Sequence, residues 1–202
     1  MGTNKQEEVE ILRKELTRYS RRSYERGLIC GTGGNLSARI PGTDIVLVTP
    51  TGVSLGDVEP QANILVNLEG EVLDSPLGLV PSKETSFHLR AYRLRPEISA
   101  VAHLHPPYAT AYANKGVPLP LVTVSARANL KHVPTIECAL PGSEELCELV
   151  TKGLEDYPEA RAVLMKEHGI LTLGKDLKTA FYLADLVEDT AKIAFIEANI
   201  KL

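Results

Sequence analysis

The chain has 202 residues, 44% of them hydrophobic and 24% charged, with a formal net charge of -4 at pH 7. That length fits one domain spanning residues 1–202, and the composition argues against a disordered chain, a fibrous repeat and the basic field that grips nucleic acid without sequence preference. No apolar run approaches the roughly 18 residues of a membrane span, and the charged start MGTNKQEEVEILRKEL does not read as a leader peptide, so a cytoplasmic protein without a membrane or nucleic-acid partner is expected.

From Lys5 to Arg26 the residues Val9, Leu12, Leu16 and Tyr19 recur at helical steps, and Gly27 follows as a stop. The glycine-rich segment Gly31-Thr32-Gly33-Gly34-Asn35 reads as a loop, and Leu36 to Ile40, the turn Pro41-Gly42 and Ile45 to Val48 read as two strands. Residues 63–74 suggest a hairpin around Glu69-Gly70. Ser82 is the expected N-cap of a helix running through Leu94, with Glu84 in its first turn. Residues 99–105 predict a strand and Pro107 to Asn114 a short helix; residues 121–124 and 132–139 are β-prone. Ser143 is positioned to cap a helix with Leu146, Leu149, Val150 and Leu154 on one face. Two strands then flank Glu167-His168-Gly169, and Asp176 caps a final helix that buries Ala180, Leu183, Val187, Ala191 and Ala194. This order predicts a mixed α/β layer structure with antiparallel pairs rather than a regular βαβ repeat. Cys30, Cys138 and Cys147, odd in number and without paired spacing, read as reduced thiols that are at least partly buried.

Five weak signals carry chemistry. His103 and His105 lie two apart in a strand, which sends both imidazoles to one face, so they are either two polar residues at a strand end or half of a divalent-metal site. His168 precedes a glycine that permits a tight turn, and by itself it is either a loop histidine or a third ligand. Glu84 is either a first-turn acid that compensates the helix dipole or a ligand and general base; His88, one turn on, either orients it or packs, and His132 is structural or solvated. Gly31 to Asn35 could form an anion nest, although its glycine spacing matches neither a dinucleotide fingerprint nor a P-loop. Thr49-Pro50-Thr51-Gly52 and Ser82 offer further anion donors.

Taken together, Gly31-Thr32-Gly33-Gly34-Asn35, Thr49-Pro50-Thr51-Gly52, Pro81-Ser82-Lys83-Glu84, His103-Leu104-His105 and Glu167-His168-Gly169 resemble, in order and separation, the motifs of the class II aldolase/adducin family over nearly the whole chain. The resemblance implies a three-layer α/β/α sandwich with a mainly antiparallel central sheet, assembled as a homotetramer with active sites at subunit interfaces. It implies a metal, Zn2+ or another divalent ion such as Mn2+ or Co2+, on His103, His105 and His168. Glu84 would be a further ligand in the empty site and the general acid/base. Thr32, Gly34, Asn35, Thr51, Gly52, Ser82 and Lys83 would hold a small phosphorylated sugar. The implied reaction is retro-aldol cleavage of a phosphorylated ketose to dihydroxyacetone phosphate and an aldehyde.

The same site could serve a decarboxylase, a dehydratase or a 4-epimerase of a related sugar phosphate, and adducin-like heads use the fold as a binding module. The family's epimerases usually carry aspartate at the Glu84 position, and binding modules are expected to lack a complete ligand set. Lys83 stands where aldolases of the family carry a second serine, adding a cation that suits an acidic substrate. The family's proton-donating tyrosines have no counterpart here; Tyr108 and Tyr112, just past the histidine pair, are the substitutes at hand, with packing as their other role.

Overall fold

The computed structural model describes residues 3–201. Helix α1 (Thr3–Glu25) buries Val9, Arg13, Leu16, Ser20 and Ser23, three- and four-residue steps that lay one stripe on the core. It closes with Leu28 N–H donating to the Ser23 carbonyl at 3.0 Å and Gly27 N–H to the Tyr24 carbonyl at 2.9 Å. Gly27 supplies the left-handed φ of 69° that this closure requires, so the glycine does act as the stop.

The strands are β1 (Asn35–Arg39), β2 (Ile45–Val48), β3 (Ile64–Asn67), β4 (Val72–Asp74), β5 (Ala100–Leu104), β6 (Thr135–Ile136), β7 (Ala162–Met165) and β8 (Gly169–Gly174). They form one sheet in the order β4-β3-β2-β1-β5-β8-β7-β6. Every neighbouring pair is antiparallel except β6 with β7. The two-residue alternation of the strands divides the apolar side chains between two cores. Leu36, Leu47, Leu65, Ala102, Leu104 and Leu164 face α1, α3 (Pro107–Ala113), α4 (Val124–Leu130) and α6 (Leu177–Asn199). Val46, Val66, Val101, Val163 and Leu171 face α2 (Thr85–Leu94) and α5 (Glu144–Asp156). The result is the expected three-layer sandwich. Each buried aliphatic side chain contributes about 1.5–3 kcal/mol, and a one-residue slip of β5 would exchange the two faces, so the cores also fix which way His103 points.

Ser143 and Asp176 cap α5 and α6 as read, accepting from Leu146 N–H at 3.1 Å and Thr179 N–H at 2.7 Å. Four local expectations are corrected. Residues 121–124 are not a strand: Thr123 Oγ1 accepts from Ala126 N–H at 3.1 Å and caps α4, whose remaining residues are mostly good helix formers. Only Thr135–Ile136 of the 132–139 stretch pairs, in parallel with β7. Cys30 is exposed, and Cys147 is more deeply buried on α5 than Leu149. The fourth concerns Ser82. It is not an N-cap, because α2 begins at Thr85 with Glu84 in the cap position. Ser82 instead opens a turn in which its carbonyl accepts from Thr85 N–H at 3.1 Å.

Candidate functional site

His103 occupies the penultimate position of β5, fully buried, and its Nδ1 lies 3.0 Å from the Ile170 carbonyl of the neighbouring strand β8. A carbonyl only accepts, so Nδ1 carries the hydrogen and the Nε2 lone pair points into the site. His105, anchored by its N–H to the Leu28 carbonyl at 3.1 Å, brings its Nε2 to 2.9 Å from that of His103. His168, carried by the turn before β8, brings its Nε2 to 3.2 Å from the same atom. Every ligand atom of the three lies within 4.8 Å of the others. A tetrahedral ion with nitrogen ligands at about 2.0–2.1 Å sets those nitrogens roughly 3.3 Å apart, so the separations suit one ion.

Glu84 completes the cluster, with Oε2 at 3.3 Å from His103 Nε2 and Oε1 at 3.2 Å from His168 Nε2. Although it occupies the N-cap position of α2, its side chain makes no cap bond and turns inward instead. Asn35 Nδ2 donates to Glu84 Oε2 at 2.8 Å, with both residues buried. Converging imidazole lone pairs beside a carboxylate repel one another until a cation sits among them, so the donor set fits a divalent metal.

Burial opposes charge on Glu84, yet contact with His103 and His168 holds its carboxyl well below the usual carboxylate range. Burial also opposes charge on His168, but hydrogen bonds to Cys138 and Glu84 push it up to about 9. His105, disfavoured first by burial and then by the neighbouring histidines, is pushed down to about 3.

A cavity of about 250 Å³ opens onto this cluster, lined by Thr32, Gly33, Gly34, Asn35, Thr51, Gly52, Ser82, Lys83, Glu84, His105 and His168 together with Pro50 and Pro141. The sequence-derived candidates thus meet at one place, with His103 behind the wall. Larger hollows exist, including one of about 410 Å³ beside α1, but it contains none of these residues. The N–H groups of Thr51 and Ser82 are engaged with the Val80 and Thr49 carbonyls, at 3.0 and 3.1 Å, so these two residues present hydroxyls rather than amides. Lys83 is exposed and, among the described residues, is the only lysine or arginine in the lining. At Gly34, φ is +67° and an added Cβ would stand 2.9 Å from the His103 carbonyl oxygen, so the glycine loop packs directly on the histidine strand.

Asn35 faces Glu84 as well as the cavity. His88 does not orient Glu84; its Nδ1 is 2.7 Å from Ser37 Oγ, which also lies 2.8 Å from the Tyr92 hydroxyl. Tyr108 and Tyr112 pack against the α6-side core and do not line the cavity, and His132 is exposed beside Tyr157. Two supporting contacts escaped the sequence reading. Cys138 Sγ lies 3.0 Å from His168 Nδ1, and Asn114 Oδ1 accepts from Glu167 N–H at 2.8 Å, beneath the His168 turn. Cys138 reaches His168 through the parallel β6–β7 pairing, and the β-prone stretch 132–139 carries no sign of which strand it joins.

Three histidines and a glutamate converging beside a small polar cavity of a three-layer sandwich form a group that could hold a divalent metal. A family model for the "Class II Aldolase and Adducin N-terminal domain" matches residues 14–195, and the chain belongs to this family, whose aldolases use a divalent metal. The chain is 33% identical, over 93% of its length and 98% of the relative's, to an L-fuculose phosphate aldolase of Methanococcus maripaludis. It is 34% identical, over 92% of its length and 86% of the relative's, to a 3-oxo-tetronate 4-phosphate decarboxylase of Escherichia coli. A solved L-fuculose 1-phosphate aldolase superposes with a TM-score of 0.85 at 32% identity, covering 93% of this chain and 86% of that one.

Proposed function

We propose that this single domain is a metal-dependent lyase that cleaves a phosphorylated ketose, similar to fuculose 1-phosphate, between C3 and C4 to give dihydroxyacetone phosphate and an aldehyde. The carrying observation is the convergence of three imidazole Nε2 atoms and one carboxylate beside a cavity lined with hydroxyls, glycines and one lysine. His103, His105 and His168 are the proposed ligands of Zn2+, or of Mn2+ or Co2+, with Glu84 as a further ligand in the substrate-free site. When bound, the ion supplies Lewis acidity toward the carbonyl and hydroxyl oxygens of the substrate.

The chain's own residues do the rest. Thr32, Gly34, Asn35, Thr51, Gly52, Ser82 and Lys83 hold the phosphate end. Glu84, ionised in the resting site, takes the C4 hydroxyl proton as the C3–C4 bond breaks and C4 becomes the aldehyde carbon. The electron pair remains on the C3 side, and Glu84, held at Oε2 by Asn35, returns a proton to C3. No tyrosine lines the cavity among the described residues, which supports placing the site at a boundary of a cytoplasmic homotetramer, where a neighbouring subunit can complete it. Light scattering should give four times the protomer mass; a monomer that turns over substrate removes this part of the reading.

Decarboxylation of a phosphorylated 3-oxo acid is the second reading, favoured by Lys83 as the only lysine or arginine in the lining among the described residues and by the 34% identity to a decarboxylase. Lys83 would then meet a carboxylate. The metal-loaded protein should be offered phosphorylated ketoses, pentulose phosphates and phosphorylated 3-oxo acids. Dihydroxyacetone phosphate plus aldehyde supports the first reading and carbon dioxide the second. Turnover of none of them overturns both.

A further inference from the structure

We propose that Cys138 is a positioning residue for His168: its sulfur holds the imidazole in the tautomer and rotation that aim Nε2 at the centre of the histidine cluster. This inference rests on the reading of His168 as a metal ligand.

The placement follows from the sheet. Strands β6 and β7 run parallel with Ile136 opposite Met165, and Lys166 N–H donates to the Ile136 carbonyl at 3.0 Å. Two residues beyond Ile136 and three beyond Met165, Cys138 and His168 lie side by side with Sγ 3.0 Å from Nδ1. A metal-ligating His168 presents the Nε2 lone pair, so its neutral ring carries the hydrogen on Nδ1 and the sulfur 3.0 Å away is the acceptor. The Cys138 thiol hydrogen can turn to the Ala139 carbonyl, 3.4 Å from the sulfur, which leaves the sulfur lone pairs facing His168. The Nε2 lone pair of the neutral ring is thereby directed toward His103 Nε2 at 3.2 Å.

The backbone beneath His168 has its own restraint, because Glu167 adopts a left-handed φ of 59° with its N–H held by Asn114 Oδ1. That contact fixes where the ring starts and leaves its rotation free. A half-turn about the Cβ–Cγ bond would put a carbon against the sulfur and another where Nε2 now points. Cys138 at Nδ1, with Glu84 Oε1 at 3.2 Å from Nε2, separates the two orientations. His103 has the equivalent restraint from the Ile170 carbonyl, so two of the three clustered rings are held at Nδ1, one by a main-chain acceptor and one by a thiol. Contacts of this kind to a ligating histidine typically govern metal affinity by about 10- to 100-fold.

The test compares wild type, Cys138→Ala, Cys138→Ser, His168→Ala and the Cys138→Ala/His168→Ala double variant. It uses the full chain, with Zn2+ affinity from chelator competition, the visible absorption of bound Co2+ and the melting of the metal-free protein. Cys138→Ala is expected to weaken Zn2+ binding by about 10- to 100-fold and to alter the Co2+ spectrum, and Cys138→Ser, which keeps an acceptor, to recover part of both. Melting of the metal-free protein should change little, because Cys138 is only half-buried. In the His168→Ala background the cysteine change should have no further effect on metal binding. Wild-type affinity and spectrum in Cys138→Ala would overturn the inference and leave the metal site standing, as would an equal loss in the His168→Ala background. A wild-type protein that takes up neither metal would remove the underlying metal-site reading and the inference with it.

Discussion

Asn35 Nδ2 donates to Glu84 Oε2 at 2.8 Å, joining the first residue of β1 to the residue that precedes α2 across 49 positions of sequence. Both side chains are buried, and a buried carboxylate deprived of its donor bears a desolvation cost of about 1–3 kcal/mol or more. The family motif assigns Asn35 to the phosphate, whereas the contact ties it to the proton carrier. The two roles separate kinetically. Asn35→Ala is expected to lower kcat by about 10- to 100-fold through the loss at Glu84 and to raise KM for the phosphorylated substrate by a smaller factor. A tenfold rise in KM at unchanged kcat would return Asn35 to the phosphate.

His88 supplies a pH signature of the metal-free fold. It is buried on α2 against β1, with Ser37 on Nδ1, Tyr92 bonded to the same serine, and His103 and Glu84 as the titratable neighbours. Burial first, then His103, lowers its pKa from 6.5 to about 3, against the opposing pull of Glu84. A proton therefore binds the unfolded chain and not the native one in this window. Stability from His88 is complete above about pH 6.5 and is lost as pH falls toward 3, by up to about 1.4 kcal/mol per unit. His88→Gln keeps a polar group near Ser37 and cannot titrate. In urea unfolding of the metal-free proteins at pH 7, 6 and 5, the deficit of the variant should shrink as pH drops, while Glu84, His105 and His168 titrate in both proteins and cancel in the difference. Parallel stability curves would contradict the assignment.

What could be read from the sequence follows the range of each interaction. Gly27, Ser143 and Asp176 act within a few residues of themselves, so their stop and cap roles are legible in local spacing. His103 and His105 are legible as a pair because a strand has a period of two, and His168 joined them only through the ordered set of motifs. Ser82 misled because serine before a helical stretch is a common cap; here the turn it opens lets the Glu84 side chain leave the helix end for the histidines. Cys138, Ser37 and Asn114 were hidden because their partners lie 30, 51 and 53 residues away, across pairings that no local pattern announces.

Gly169 sets the distance between β8 and the end of β5. An added Cβ would overlap the Leu104 carbonyl oxygen and stand 2.7 Å from His105 Cδ2. Replacing glycine with alanine ordinarily stabilises by about 0.4–1 kcal/mol through the unfolded state where the backbone permits it. The overlap involves main chain and a clustered histidine, and overpacking of that kind costs about 1–3 kcal/mol, so destabilisation wins. Gly169→Ala should lower the urea midpoint and weaken metal uptake together, because His105 must move. An unchanged or raised midpoint would show that the strands can part without cost.

Glu84→Gln tests the proton carrier itself. The amide keeps the size of the carboxyl and can still bond Asn35 and His168, but it cannot exchange a proton. If Glu84 returns the proton to C3, turnover should fall by about 10²- to 10⁴-fold. Metal content, measured on the same preparation, should stay near wild type, because His103, His105 and His168 remain. The fold should survive as well, since Glu84 makes no cap bond on α2 and its contacts are with the site. A role limited to compensating the dipole of α2 makes the opposite forecast, a loss of about 0.3–1 kcal/mol of stability with activity intact. Stability and turnover therefore move in opposite proportions under the two roles, and a fully active, slightly less stable variant would defeat the mechanism even with the metal in place.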